Sequence, residues 1–197
     1  GTKANYISYG GVNIATSDPT SLKLRGASKR KAESENSALF IGRLDEQTGI
    51  KTYIKAVKLI RKKIPDFKFE IIGDGKLRNK IEKDFKFLGF KKDPQKYFRQ
   101  YSFAFVSRYL SILEAMTAKR LVFAVYDNPL KEDYLRMAPF AGFINIVYSK
   151  KELADRVFYF LKYPNKEKQM IDDAFEWVKA QSWNKVNQLY VNLWRGS

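Results

Sequence analysis

Short apolar runs alternate with helical patterns at least five times along this chain of 197 residues, and this alternation limits the fold more than any other feature. Uninterrupted apolar runs such as 103–106 are typical of parallel strands that helices cover on both faces. Strands joined through helices need crossover connections, so the pattern predicts an α/β protein with a Rossmann-like parallel sheet flanked by helices. In such sheets, ligands bind at the carboxyl ends of the strands.

The same spacing predicts the order of the elements. Strands are predicted at 38–41, 67–72, 87–89, 103–106, 121–125 and 143–147, with a further strand and turn at 5–14. Helices are predicted at 50–64, 76–85, 94–100 and 111–118, and three more helices are predicted to close the chain. The last of them carries an apolar stripe that is predicted to lie in the core: Val186, Leu189, Tyr190, Leu193 and Trp194.

A polar segment separates the first predicted strand from the rest of the chain. Residues 15–37 contain SKRKAESENS, whose charged and small polar side chains predict a surface loop or linker. The length of the chain suggests one large domain or one and a half small ones, and its 45% hydrophobic residues are enough to form a core. Of these, we expect a single Rossmann-like domain over residues 1–197.

The chain contains no cysteine and no histidine, which excludes several classes of site. Disulfides, thiolate metal sites, histidine-dependent triads and the usual zinc enzymes all need one of these residues. Catalysis would therefore depend on carboxylates, lysine, arginine, hydroxyls or backbone groups, and we expect no metal. No apolar run reaches the roughly 20 residues that cross a bilayer, and no signal peptide opens the chain, so we expect a cytoplasmic protein.

A formal net charge of +16 indicates contact with anions. Lysines and aromatic residues are interleaved at 61–69 and 91–101, a mixture that suits nucleic acid or an anionic membrane surface. For at least half of these residues, helical spacing favours lysines that face solvent while the aromatic rings face inward. Nucleic acid is the weakest candidate partner, because charge alone supports it.

Three loops follow predicted strands, where ligands are expected. In GRLDEQTG, Gly42 allows the backbone to approach a ligand and Arg43 offers a planar fork to phosphate oxygens. In SRYLSILE, Ser111 and Glu114 have the spacing of a capping box, which opens a helix whose free N–H groups can hold an anion. Each motif also has a purely structural interpretation: a solvated arginine, a capped helix or, for GDG at 73–75, an ordinary turn.

Four segments in order, FIGRLDEQTGI, EIIGDGKL, FLGF and LSILEAMTAKRLVFA, resemble the carboxyl-terminal half of retaining glycosyltransferases with the GT-B fold, of the group 1 or family 4 type. The segments YISYGGVN and AQSWNKVNQLYVNLW are similar to the opening loop and final helices of that half. The resemblance implies transfer of a hexose from a nucleoside-diphosphate sugar to an acceptor with retention. It implies no cofactor, since the nucleotide-sugar is a substrate.

The resemblance also implies site residues. Arg43 would neutralise the donor diphosphate and Glu114 would hold the ribose hydroxyls, and these two are the expected catalytic residues. Phe90 in FLGF would lie beside the nucleobase. The other residues expected in the donor site are Gly42, Thr48, Gly73, Gly75, Leu110, Ser111 and Ile112, of which the last three would bind phosphate through the backbone N–H groups of a helix. Arginine, lysine and the helix dipole would carry the charge that a metal carries elsewhere.

The chain departs from the family pattern at two places. The family usually has a lysine directly before the glycine of the first loop, where this chain has Thr48, and Lys51, Arg108 or Lys119 are candidates to compensate. About four residues of the family pattern, including a glutamate that contacts the sugar, are missing after Tyr109. The nearest polar candidates for sugar contact are Asp127 and Asn128.

The resemblance further implies a partner domain. In GT-B enzymes an amino-terminal Rossmann-like domain of the same native chain binds the acceptor, and this sequence has no room for it. We therefore expect the chain to bind nucleotide and to transfer nothing by itself, with an anionic membrane surface at the inner face as a further partner. The alternatives are a non-catalytic nucleotide-sensing or interaction domain and a basic nucleic-acid-binding protein.

Overall fold

A computed structural model describes residues 11–12, 36–81 and 85–195, which contain a six-stranded sheet in the order β3-β2-β1-β4-β5-β6 with every neighbouring pair parallel. The strands are β1 Ser37–Ile41, β2 Lys68–Ile72, β3 Lys86–Gly89, β4 Phe103–Phe105, β5 Leu121–Val125 and β6 Asn145–Val147. Since the strand order reverses between β1 and β4, the ligand crevice of such a sheet is expected there. The predicted α/β class and parallel sheet are confirmed.

Helices cover both faces of the sheet. They are α1 Ile50–Arg61, α2 Arg78–Ile81, α3 Tyr109–Thr117, α4 Pro129–Arg136, α5 Lys150–Lys162, α6 Pro164–Lys179 and α7 Trp183–Trp194. Short 3₁₀ helices lie at Glu46–Thr48, Pro94–Gln100 and Ala141–Phe143. The three closing helices and the short helix before β4 therefore match the prediction.

Alternation along each strand divides the buried side chains between two cores. Phe40 and Phe105 share one core with Tyr53 of α1, whose ring stacks on Phe105 at 5.1 Å between centroids. Leu39 and Ala104, the adjacent residues of the same strands, belong to the other core, which includes residues of α3 and α6. Burial on both faces explains why the strands are continuous apolar runs.

Two predicted segments coincide only partly with the described residues. Most of the predicted strand at 5–14 and of the linker at 15–37 lies outside them. Val12 is described, is buried, and forms an isolated bridge with Ser182 just before α7. At the far end of the linker the prediction was wrong, because Ser37 is the first residue of β1, and its hydroxyl accepts a hydrogen bond from Ser102 N.

The predicted capping box at the start of α3 was also wrong. The helix begins at Tyr109, two residues before Ser111, and its N-cap is Arg108, whose side chain makes no capping bond. The first turn is held instead by packing, since the ring of Tyr109 lies 5.4 Å from that of Phe140. A true N-terminal cap occurs at α5, where Ser149 Oγ accepts from Glu152 N and Glu152 Oε2 accepts from Tyr148 N.

The prediction that the last helix packs in the core was wrong as well. No described residue of α7 is buried, and Trp194 is 94% exposed. Tyr190 and Leu193 are exposed too, and Val186 and Leu189 are only half-buried. Apolar residues at helical spacing show that a helix has one apolar face, but they do not say which surface that face contacts.

Candidate functional site

The loops after β1, β4 and β5 are joined by hydrogen bonds above the carboxyl ends of these strands. Ser107, in the loop after β4, donates its hydroxyl to the carbonyl of Thr48 at 2.7 Å. Lys131, in the first turn of α4, reaches the same loop and donates from Nζ to the carbonyl of Gln47 at 2.7 Å. These bonds place three loops together at the switch point of the sheet.

Tyr53 anchors the floor of this crevice. Its hydroxyl donates to the carbonyl of Phe123 at 2.9 Å and accepts from the amide of Val125 at 3.0 Å, so α1 is held at the end of β5. The residue is fully buried, and burial raises the pKa of its phenol well above the ordinary value. Tyr53 is therefore a neutral hydrogen-bonding group that positions the loops.

The GDG loop packs by its backbone against the loop after β1. A β-carbon on Gly73 would overlap with the carbonyl oxygen of Gly42, and one on Gly75 would lie 2.6 Å from the carbonyl oxygen of Leu44. Both glycines have positive φ angles, of 146° and 153°. The amide of Leu44 also donates to the carbonyl of Asp74 at 2.8 Å. Close approach of two loops thus accounts for both predicted glycines.

Thr48 stabilises the loop in which it lies. The residue is 2% exposed, and its hydroxyl donates to the carbonyls of Arg43 and Asp45, at 2.8 Å and 2.9 Å. Asp45 in turn accepts a hydrogen bond from the amide of Thr48, which caps the 3₁₀ turn. The hydroxyl of Thr48, a residue expected in the donor site, is directed at backbone carbonyls.

Arg43 remains accessible. Its Nε lies 3.2 Å from Oδ2 of Asp45, and its side chain is 62% exposed. This single ion pair orients the guanidinium and leaves further N–H donors for a ligand. The adjacent Gly42 is partly exposed, and its own amide donates to the carbonyl of Ile72 at 3.1 Å.

The first turn of α3 offers fewer amides than the sequence predicts. The amide of Ile112 already donates to the carbonyl of Arg108 at 3.0 Å, and Ile112 is buried. Tyr109 contributes a backbone hydrogen bond to Tyr134, which lowers the pKa of that phenol while burial raises it more. Among the described residues, the amides of Leu110 and Ser111 are the ones in this turn without a partner.

Glu114 is a half-buried carboxylate in the middle of α3. No ion pair or side-chain hydrogen bond joins its carboxylate to another described residue. Burial raises the pKa of Glu114 above its ordinary value of 4.5. A carboxylate that is partly removed from water and unpaired is suited to accept hydrogen bonds from hydroxyl groups of a ligand.

The remaining predicted residues are exposed. Phe90 directly follows the edge strand β3 and is 82% exposed. Asp127 and Asn128 are exposed after β5, but Asn128 caps α4, because Oδ1 accepts from the amide of Lys131 and Nδ2 donates to Asp127.

Of the three candidates to replace a lysine at position 48, Arg108 is the one that acts electrostatically on Lys131 in this crevice. Lys51 pairs with Glu46, and Lys119 lies beyond the carboxyl end of α3, above the ring of Phe175 at 4.3 Å. Lys131 was not predicted as a site residue because α4 was not predicted. The signal was present, since an asparagine before a proline is a common helix start, with the asparagine as N-cap and the proline at the first helical position.

The family profile described as Glycosyl transferases group 1 matches residues 25–177. The chain belongs to the group 1 glycosyltransferases. A Campylobacter jejuni enzyme, an α-1,4-N-acetyl-D-galactosaminyltransferase that acts on a diNAcBac-PP-undecaprenol-linked acceptor, is 44% identical over 62 residues, which are 31% of this chain and 17% of that enzyme.

Solved structures resemble this group 1 chain in fold. The Anabaena protein HepE in complex with UDP and glucose has a TM-score of 0.70 at 16% identity, over 95% of this chain and 55% of HepE. The carboxyl-terminal domain of the group 1 protein LpcC from Francisella tularensis has a TM-score of 0.61 at 18% identity, over 80% of this chain and 93% of that domain. The chain thus spans well under two thirds of the Campylobacter enzyme and of HepE, but nearly all of the LpcC domain.

Two further findings on the described residues concern metal binding and membrane spans. No group of three or more acidic side chains there is arranged to hold a metal ion. None of the helices in those ranges combines the length and apolarity that a membrane span needs.

Proposed function

We propose that this group 1 glycosyltransferase chain is the donor-binding half of a retaining hexosyltransferase and holds a nucleoside-diphosphate sugar at the switch point between β1 and β4. The half-buried, unpaired carboxylate of Glu114 carries the proposal. A buried carboxylate without a partner costs stability, and a ligand that donates hydroxyl hydrogen bonds to it removes that cost. The UDP in the complex of HepE supports this class of ligand.

Each polar group of the crevice has a role in this proposal. Glu114 accepts hydrogen bonds from the two ribose hydroxyls. Arg43 and the amides of Leu110 and Ser111 bind the diphosphate, and the positive end of the α3 dipole favours its charge. These groups also stabilise the charge that develops on the leaving diphosphate when the bond to the sugar breaks. Phe90, whose ring is exposed, lies beside the nucleobase in this proposal.

The acceptor, in our proposal, binds an amino-terminal domain of the same native chain, and the reaction takes place between the two halves. The net charge of +16 favours a position at the anionic inner face of a membrane, on the cytoplasmic side. The undecaprenol-linked acceptor of the Campylobacter enzyme supports a lipid-linked acceptor here as well.

One observation favours a second candidate, a non-catalytic nucleotide-sensing domain. Thr48 carries no charge, and its hydroxyl is used by the loop itself. Loss of one preorganised charge-stabilising group typically lowers a rate about 100-fold or more. Sugar transfer by the full-length native enzyme, measured with a lipid-linked acceptor, separates the two candidates, because a sensing domain binds donor without turnover.

Calorimetric titration of the chain with UDP, GDP and ADP, and with the matching sugar donors, tests the binding step. We expect one of the nucleotides to bind and Glu114→Ala to weaken it about 10-fold to 100-fold, as expected for lost hydrogen bonds to a charged group. Glu176→Ala is the control, since Glu176 is an exposed glutamate that pairs with Lys179 on α6. The proposal is contradicted if no nucleotide binds the unsubstituted chain, or if one binds and Glu114→Ala weakens it no more than Glu176→Ala does.

A further inference from the structure

Lys131 extends from α4 across the carboxyl end of the sheet. Its position at the third residue of α4 is determined by the N-cap Asn128 and by Pro129 at the first helical position. From there Nζ reaches the carbonyl of Gln47 at 2.7 Å, and a β-carbon on Gly49 would lie 3.8 Å from it. The ammonium of a helix that follows β5 is therefore held against the loop that follows β1.

The surroundings of this ammonium contain less negative charge than it needs. Burial is the main cause that lowers the pKa of Lys131, Arg108 lowers it further, and Asp127 and Asp45 raise it. Within the described residues no carboxylate lies within ion-pair distance of Nζ, and its one hydrogen bond goes to a neutral carbonyl. An ammonium has three N–H donors, so two remain for a ligand.

Asp45 connects Lys131 to the other cations of the crevice. Its carboxylate acts on Lys131 electrostatically and also lies 3.2 Å from Nε of Arg43. Arg43, Arg108 and Lys131 therefore come from the loops after β1 and β4 and from the helix after β5, and they border one stretch of the crevice. The charged groups that act on Lys131 are two carboxylates, Asp127 and Asp45, and one further cation, Arg108.

We propose that Lys131 binds the diphosphate of the donor and is its second side-chain cation beside Arg43. The loop after β1 offers only one such charge, since Thr48 is neutral and its hydroxyl contacts backbone carbonyls. A diphosphate between the two residues would complete the hydrogen bonds of a partly dehydrated ammonium in a place where no described carboxylate does so. This inference rests on the proposed function, because it concerns the same donor.

The test compares Lys131→Met with Lys166→Met. Lys166 is a matched control because it too is the third residue of a helix that begins with proline, α6, and it is exposed. UDP is measured by calorimetry and uridine, which has no phosphate, by NMR titration. We expect Lys131→Met to weaken UDP about 10-fold to 100-fold and to leave uridine unchanged. Lys131→Arg should keep most of the UDP affinity, and Lys166→Met should match the unsubstituted chain.

Several results overturn the inference. If the unsubstituted chain binds UDP and Lys131→Met binds it equally well, donor binding stands and the role of Lys131 does not. If Lys131→Met weakens UDP and uridine by the same factor and also lowers the free energy of unfolding in urea, Lys131 only positions the loop. If no nucleotide binds the unsubstituted chain, the proposed function fails first and the inference fails with it.

Discussion

The loops after β1 and β2 differ from those after β4 and β5 in what satisfies their polar groups. Gly73, Gly75 and Thr48 belong to the first pair, and backbone contacts within that pair account for each of them. In the second pair, and in the helices α3 and α4 that follow it, Glu114 and Lys131 keep capacity that no described residue fills. The glycines that first suggest a ligand thus stabilise the loops, and in our proposal the ligand contacts charged side chains instead: Arg43, Glu114 and Lys131.

The largest expected effect concerns the contact between the loops after β1 and β2. Gly73→Ala places a β-carbon on the carbonyl oxygen of Gly42 at a φ of 146°, so the two loops must separate. We expect a loss of about 3 kcal/mol or more in the free energy of unfolding, measured in urea. Gly142→Ala is the control, because no atom lies within 4 Å of its β-carbon position, and it should cost less than about 0.5 kcal/mol. Equal costs would mean that the loops are not in close contact.

Thr48→Val tests the loop after β1, with a smaller expected loss of stability. The change keeps the shape and removes the hydroxyl that bonds to the carbonyls of Arg43 and Asp45 in a buried position. We expect the free energy of unfolding to fall by about 1 to 2 kcal/mol. Thr117→Val is the matched control, since Thr117 donates to the carbonyl of Glu114 within α3, where that carbonyl also accepts from the amide of Ala118. A similar loss in both variants would show that the hydroxyl of Thr48 contributes no more to stability than that of Thr117.

Glu114→Gln tests α3, the helix after β4, through the pH dependence of the free energy of unfolding. Because burial raises the pKa of Glu114, the folded state binds its proton more tightly than the unfolded state does. The carboxylate therefore lowers stability above its raised pKa, and this penalty disappears as the pH falls toward 4.5. We expect the variant to be at least as stable as the parent at pH 7, with the difference shrinking at pH 5.

Urea unfolding at pH 7 and pH 5 measures the difference in stability between Glu114→Gln and the parent, with Glu176→Gln as the control. A variant that is clearly less stable than the parent at pH 7 would show that Glu114 has a structural partner.

The smallest expected change in stability belongs to Arg43→Ala. The guanidinium is mostly exposed and has a single ion pair with Asp45, so its removal should change the free energy of unfolding by less than about 0.5 kcal/mol. The same variant should weaken UDP about tenfold or more. Urea unfolding and calorimetry on one preparation measure both quantities. A stable variant with unchanged UDP affinity would show that Arg43 does not bind the donor.

Much of the fold follows from the sequence alone. Buried parallel strands need apolar residues on both faces, so β1, β2, β4 and β5 are readable as continuous runs, and four motifs in order indicate the family. The start of α3 was not readable, because packing of Tyr109 on Phe140 replaces the side-chain cap that local spacing suggested. The exposed face of α7 was not readable either, since periodicity does not identify a partner surface.

The candidate site divides in the same way. The sequence by itself determined which loops follow which strands, and from that order it predicts that Gly42, Arg43 and Glu114 line the crevice. Only the tertiary structure decided how each group is used. It directed the hydroxyl of Thr48 to the backbone and brought Lys131 from α4 to the loop after β1, 84 residues away along the chain. Hydrogen bonds of this kind depend on distance in space, which one-dimensional spacing records only within a single helix or strand.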